Sequence, residues 1–108
     1  MRLVYSEEAK QDLQIFRENL NAFNQSGESF IDGIFVHARK FINTPMLGSS
    51  LKTKILAASD YRFLVFQFTR KQIYLIIYKV DEKNKAVYIN RIFDGRMNYL
   101  NTLFGDKP

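Results

Sequence analysis

Apolar residues recur along the first third of the chain at helical spacing. Ala9, Leu13, Phe16, Leu20 and Phe23 follow one another at intervals of four, three, four and three. Positions so spaced share one side of an α-helix, so the stretch predicts an amphipathic helix of about five turns. Ser6 precedes it as an N-cap, with Glu7 and Glu8 in the first turn, where free backbone N–H groups favour anions. Asn24-Gln25-Ser26-Gly27 breaks the pattern. A second helix is expected from about Glu28 to Ile42, with a wider stripe of Phe30, Ile31, Ile34, Phe35, Ala38, Phe41 and Ile42. The break is short, so the two helices form an antiparallel hairpin. Asn43-Thr44-Pro45 ends the second helix, because proline disfavours helical backbone at the residue before it.

The pattern then changes period. Tyr61–Phe68 and Ile73–Val80 are dense apolar runs around the basic turn Thr69-Arg70-Lys71-Gln72. A polar turn, Asp81-Glu82-Lys83-Asn84-Lys85, leads to a third run, Val87–Phe93. These read as a three-stranded antiparallel meander. Strands apolar on both faces are central strands covered on both sides. The helical hairpin covers one face, and for the other an absent partner is one answer. Arg2–Tyr5 is a short β-prone run that joins an edge of the sheet. Gly48-Ser49-Ser50 reads as a loop, Lys52–Leu56 as a short strand or irregular, and Met97–Phe104 as a short amphipathic C-terminal helix. The fold class is α+β: N-terminal strand, helical hairpin, meander and terminal helix.

At 108 residues, 46% of them hydrophobic, the chain suits one domain over residues 1–108. A chain of this size buries roughly 60–70% of its unfolded surface, enough for one core. The chain has no Cys, so neither disulfides nor thiolate chemistry enter. His37 is the single histidine, which leaves no Ser-His pair and no multi-His metal site. No Gly-rich phosphate loop and no carboxylates at a motif spacing are present, so no cofactor and no metal are expected. The start of the chain lacks the apolar region of a signal peptide, and no run approaches the ~18 residues of a membrane span. A cytoplasmic protein is expected.

Charge is divided unevenly. Residues 1–30 hold three basic and five acidic side chains, a balance of −2. Residues 31–108 hold thirteen basic and six acidic, a balance of +7. The sheet half is the electropositive half, suited to nucleic acid or an acidic protein. Within it Arg91 and Arg96 flank Asp94-Gly95. They read either as a cationic rim for phosphate or an acidic partner, or with one of them pairing with Asp94 or capping carbonyls at the strand–helix junction. Arg62 is a cation inside an apolar strand: a contact residue, or a side chain snorkelling at the sheet margin. Lys52 and Lys54 read as a solvated loop edge. Gly95 reads as a turn that an L-residue would strain. Tyr99 is a candidate general acid or base, or packing for the terminal helix beside Met97, Leu100 and Leu103. His37 lies at the edge of its helical stripe, a boundary position.

Three stretches carry a family resemblance. Val4-Tyr5-Ser6-Glu7-Glu8-Ala9-Lys10-Gln11-Asp12-Leu13 is similar to the usual opening of the ParE/RelE superfamily of bacterial toxins. Tyr74–Asp81 resembles its apolar strand that ends on a basic residue, Val and Asp, and Tyr88–Leu100, with Arg91, Gly95 and Arg96, resembles its ending. The resemblance covers nearly the whole chain and implies the toxin of a type II toxin–antitoxin module. It implies one of two activities: ribosome-dependent cleavage of messenger RNA, or inhibition of DNA gyrase with growth arrest from trapped gyrase–DNA complexes. The ribonuclease pattern sets cations where this chain has Leu64 and Leu75. Arg62, Arg91, Arg96 and Tyr99 remain as the residues that would serve a metal-independent ribonuclease. This depletion favours the ParE-like branch, although Asp94 and Asn98 stand where that pattern commonly has His and Asp. The resemblance further implies an antitoxin whose disordered, acidic, amphipathic segment covers the second apolar face and neutralises the basic half, with Arg62, Arg91 and Arg96 as the residues to bind the target or the antitoxin.

Overall fold

The computed structural model describes residues 2–40, the backbone of 49–50, and residues 61–96. Their elements are β1 (Arg2–Tyr5), α1 (Glu7–Ala22), α2 (Gly27–Lys40), β2 (Ser49–Ser50), β3 (Arg62–Gln67), β4 (Ile73–Asp81) and β5 (Ala86–Asp94). This is the expected order of strand, two helices and meander. Lys52, Lys54, the segment Lys52–Leu56, the terminal helix and Tyr99 lie outside the described residues. Ser49 and Ser50, expected in a loop, instead pair antiparallel with Phe63 and Arg62. Two small polar residues bear no strand pattern, so the pairing comes from the neighbouring edge of β3 and not from local propensity.

The five strands run in the order β1-β5-β4-β3-β2. β1 therefore joins the β5 edge, and it does so in parallel, from Arg2 opposite Ala86 to Tyr5 opposite Ile89. Ser6 turns the chain from strand to helix. Its N–H donates to the Ile89 carbonyl at 2.9 Å. Its hydroxyl donates to the Asn90 carbonyl at 2.7 Å and accepts the Ala9 N–H at 3.0 Å as the N-cap of α1. The stripe read from the sequence is the buried face of α1: Ala9, Leu13 and Leu20 are buried and Phe16 packs against them. Phe23 falls outside the stripe as the C-cap residue and is 78% exposed. Asn24, at φ 62°, takes the left-handed turn that asparagine tolerates, and Ser26 then accepts the Ser29 N–H to open α2.

The helices cover one face of the sheet. Phe30, Ile34, Leu64, Tyr74, Ile76, Tyr78, Val87, Ile89 and Ile92 are buried between the layers. Phe30 is the hinge of an aromatic cluster, 4.6 Å from Tyr74 and 5.5 Å from Phe68 between ring centres. The opposite face carries Leu75, Ile77 and Phe93, with Tyr61 and Phe63 packed against them. The single chain buries Ile77 and Phe93 fully, so the centre of this face does not wait for a partner. Among the described residues of this face, the large apolar side chains that stand open are Val65 and Ile73 at its margin.

One irregularity decides where the candidate residues point. Between the pairs Ile77–Arg91 and Tyr78–Ile89, β5 holds one extra residue, Asn90. This β-bulge shifts the alternation of β5 by one. Val87 and Ile89 face the helices before it, and Ile92 does so after it. Arg91 consequently stands opposite Ile77, on the far face, and not in the core.

Candidate functional site

Arg91 is tied down from outside its own face. β1 ends opposite Ile89, so among the described residues no strand lies beside the edge of β5 beyond that point. Asp12 of α1 fills the gap: its carboxylate accepts the Ile92 N–H at 2.9 Å. The same carboxylate receives the Arg91 guanidinium as a fork, 2.8 Å from Nε and 2.9 Å from Nη2. The guanidinium lies 4.7 Å above the Phe93 ring. Hydrogen bonding to Asp12 holds its pKa above the ordinary arginine value against the opposing effect of burial. Two forked bonds, a charged partner and an aromatic floor make this a positioned side chain. Asp12 is the one buried charged residue among those described. Asp12 belongs to the opening motif, where nothing in the sequence assigns it a role. Its signal was an acid directly beside the buried stripe position Leu13.

Arg96 behaves differently. It pairs with Asp94, two residues earlier, through Nη2 at 3.1 Å and Nε at 3.2 Å, and its N–H donates to the same carboxylate. This is the local pairing weighed for one of the two arginines, and it is Arg96, not Arg91, that makes it. The hydrogen bonds from Arg96 hold the Asp94 carboxyl below its usual value. The Arg96 side chain is 83% exposed. Gly95 does not sit in the left-handed region; its need is space, because a Cβ there would stand 3.0 Å from the Ile73 carbonyl oxygen, which accepts the Gly95 N–H at 2.7 Å. The strained-turn reading of Gly95 is thus replaced by a close backbone approach.

Arg62 opens β3 opposite Tyr78, on the face shared by Leu64 and Phe66, and is half-exposed. It stands apart from Arg96. Tyr78 and Tyr74, the β4 partners of Arg62 and Asp94, are four residues apart, about 13 Å along a strand. Leu64 and Leu75 are each 8% exposed and lie in different clusters on opposite faces. The described candidates therefore occupy three places: Arg62 at the start of β3, level with the middle of β4 and on the helix-side face, Arg91 on the opposite face at the β5 edge, and Arg96 past the end of β5 beside exposed Ile73. His37 is half-buried, its ring 5.5 Å from Phe66, and burial lowers its pKa, in keeping with a boundary position.

A feature absent from the sequence reading lies at the other side of the sheet. Leu3 and Tyr5 of β1 and Phe35 and Arg39 of α2 line a cavity of about 490 Å³. The Tyr5 ring meets Phe35 edge-on at 5.2 Å. Burial pushes the Tyr5 hydroxyl up to about 12, and that hydroxyl is buried without a hydrogen-bond partner. Among the described residues no group of three or more His, Cys, Asp or Glu is arranged to hold a metal, and no helix is long and apolar enough to cross a membrane.

Comparison with known proteins agrees with the geometry. Among solved structures, a chain of the chromosomal ParDE toxin–antitoxin system from P. aeruginosa has the same fold, with a TM-score of 0.68. The likeness covers 87% of this chain and 95% of that one at 14% identity. No curated protein matches the sequence. The sequence profile of the ParE toxin of the type II toxin–antitoxin system, parDE, matches residues 3–99. With that match over nearly its whole length, the chain belongs to the ParE toxin family.

Proposed function

We propose that this ParE-type toxin acts by binding and inhibiting DNA gyrase, and that a cognate antitoxin with an acidic segment neutralises it in the bacterial cytoplasm. The observation that supports this reading best is the dispersal of the cations. Metal-free RNA cleavage needs a base, an acid and a phosphate-stabilising cation all within hydrogen-bond reach of one linkage. Here Arg62 and the Asp94–Arg96 turn are set about 13 Å apart along the sheet, Arg62 and Arg91 belong to opposite faces, Arg91 is engaged by Asp12, and Leu64 and Leu75 are core. A protein surface with an exposed arginine next to exposed Ile73 suits a protein target better than a scissile phosphate. The RelE-like alternative, messenger RNA cleavage on the ribosome, is separated by paired assays. The purified toxin is expected to inhibit supercoiling by purified gyrase and to leave messenger RNA intact during in vitro translation. Codon-phased cuts that vanish in Arg96→Ala, with gyrase unaffected, would overturn the reading.

A further inference from the structure

Phe23 carries on the spacing of the α1 stripe and yet leaves the core. α1 stops at Ala22, because Asn24 takes the left-handed turn and the Gln25 N–H folds back onto the Leu20 carbonyl at 2.9 Å. Phe23 is thereby left exposed. A lone exposed apolar residue is ordinary; what sets Phe23 apart is the turn held beside it. Gln25 and Gln72 exchange two amide hydrogen bonds, at 2.9 and 3.0 Å, and so tie the turn between the helices to the turn between β3 and β4. Both turns are stiffened from within. The Asn21 side chain accepts the Gly27 N–H at 2.9 Å, and the Thr69 hydroxyl donates to the Gln72 side chain at 2.9 Å. The second turn exposes Arg70 and Lys71, and neither side chain has an ion pair among the described residues. Ile73 follows Gln72, and its carbonyl accepts the Gly95 N–H, so exposed Ile73 and Arg96 adjoin the same end of the molecule.

We propose, resting on the gyrase reading, that this end of the molecule is the target-binding surface: Phe23, Arg70, Lys71, Ile73 and Arg96 take an acidic patch of gyrase whose apolar recess receives Phe23. An aromatic among arginines is the composition of binding hot spots. The tied turns hold it in place before a partner arrives, so little ordering is left to oppose association. Of the acids nearby, Asp94 is engaged by Arg96 and Glu28 by Arg17. The positive charge of Arg70 and Lys71 therefore stands unopposed, and it selects a negative partner and speeds encounter with it. A nucleic acid fits this end less well, because its few cations match few phosphates and Ile73 has no use against a phosphate backbone.

Inhibition of supercoiling by purified gyrase holoenzyme, titrated with the intact toxin and its variants, tests the proposal. Phe23→Ala and the double change Arg70→Glu with Lys71→Glu are each expected to raise the toxin concentration for half-inhibition about tenfold or more. Lys83→Glu, a like charge change at the exposed turn between β4 and β5, stays within about threefold of wild type. All these sites are exposed, and the urea midpoints of the variants are expected to match wild type. Wild-type potency in Phe23→Ala and in the double variant would overturn the proposal and leave the gyrase reading intact. Weakening by Lys83→Glu as large as that by the double change would reduce the effect to net charge and overturn it too. Loss in the double variant of binding to a short DNA duplex alone, with inhibition of gyrase unchanged, would overturn it in favour of a nucleic-acid face. No inhibition of gyrase by wild-type toxin would remove the gyrase reading and this proposal with it.

Discussion

Asp12 serves three donors with two oxygens, the Arg91 Nε and Nη2 and the Ile92 N–H. It replaces with a side chain the strand that β5 lacks beyond Ile89, and so fixes Arg91 at the rim between two faces. Asp12→Asn keeps the shape, removes the counter-charge and turns a donor toward donors. It is expected to destabilise the fold by about 3 kcal/mol, read by urea unfolding, because it leaves a half-buried guanidinium without its anion. Arg96 gives the contrast: its pair with Asp94 is exposed and screened, so its removal is a change of surface and not of stability. Tyr5 holds the opposite kind of residue-scale fact, a buried hydroxyl with no partner. Its pKa lies at about 12 when folded against 10.0 unfolded, so the neutral phenol favours the folded state. That contribution is complete below pH 10 and is lost as pH rises to about 12. Tyr5→Phe is expected to leave the fold at pH 7 as stable or more stable by about 1 kcal/mol, and to weaken its loss of stability above pH 10. A variant less stable at pH 7 would show that the hydroxyl has found a partner.

The helical hairpin is an element whose existence was legible and whose closeness was not. The stripe Ala9–Leu13–Phe16–Leu20 reports burial directly, because a helix repeats its faces in sequence. The closeness comes from Gly27, read as part of the break but placed as the first residue of α2. A Cβ at Gly27 would stand 2.5 Å from both the Arg17 carbonyl oxygen and its Cγ. Gly27→Ala is therefore expected to push the helices apart and cost about 2 kcal/mol, visible as a lowered Tm, although alanine is otherwise the better helix former. Unchanged stability would mean that the turn yields instead. β5 holds the parallel lesson. Its apolar positions Val87, Ile89 and Ile92 break the two-residue period, and the bulge at Asn90 is the reason. Without that phase shift, sequence alternation would put Arg91 on the helix face. A spacing of three inside a strand was the available sign.

At the scale of the whole molecule, the layer plan was legible because helix and meander each carry their own period. The parallel seating of β1 on β5 was not, since four residues of strand hold no record of a partner more than eighty positions away. The site was less legible for the same reason. Arg91 and Arg96 look like a pair in the sequence, yet their partners, Asp12 and Asp94, lie seventy-nine and two residues away. Charge division carried further: a −2 N-terminal segment and a +7 remainder hold whatever the fold, and they shape what can approach. The long reach of β1 has a consequence in time. Ser6 meets Asn90 across 84 residues, and every inward hydrogen bond of β1 goes to the turn or strand of residues 85–89. During synthesis the first strand has nothing to join until β5 has left the ribosome, and closing so long a loop belongs to the slow part of folding. The Asp12 clamp and the bond from the Ser6 hydroxyl to Asn90 both wait on that closure. The toxin is thus assembled last at the end that was made first, and a chain cut short before residue 86 can build neither the clamp nor the edge.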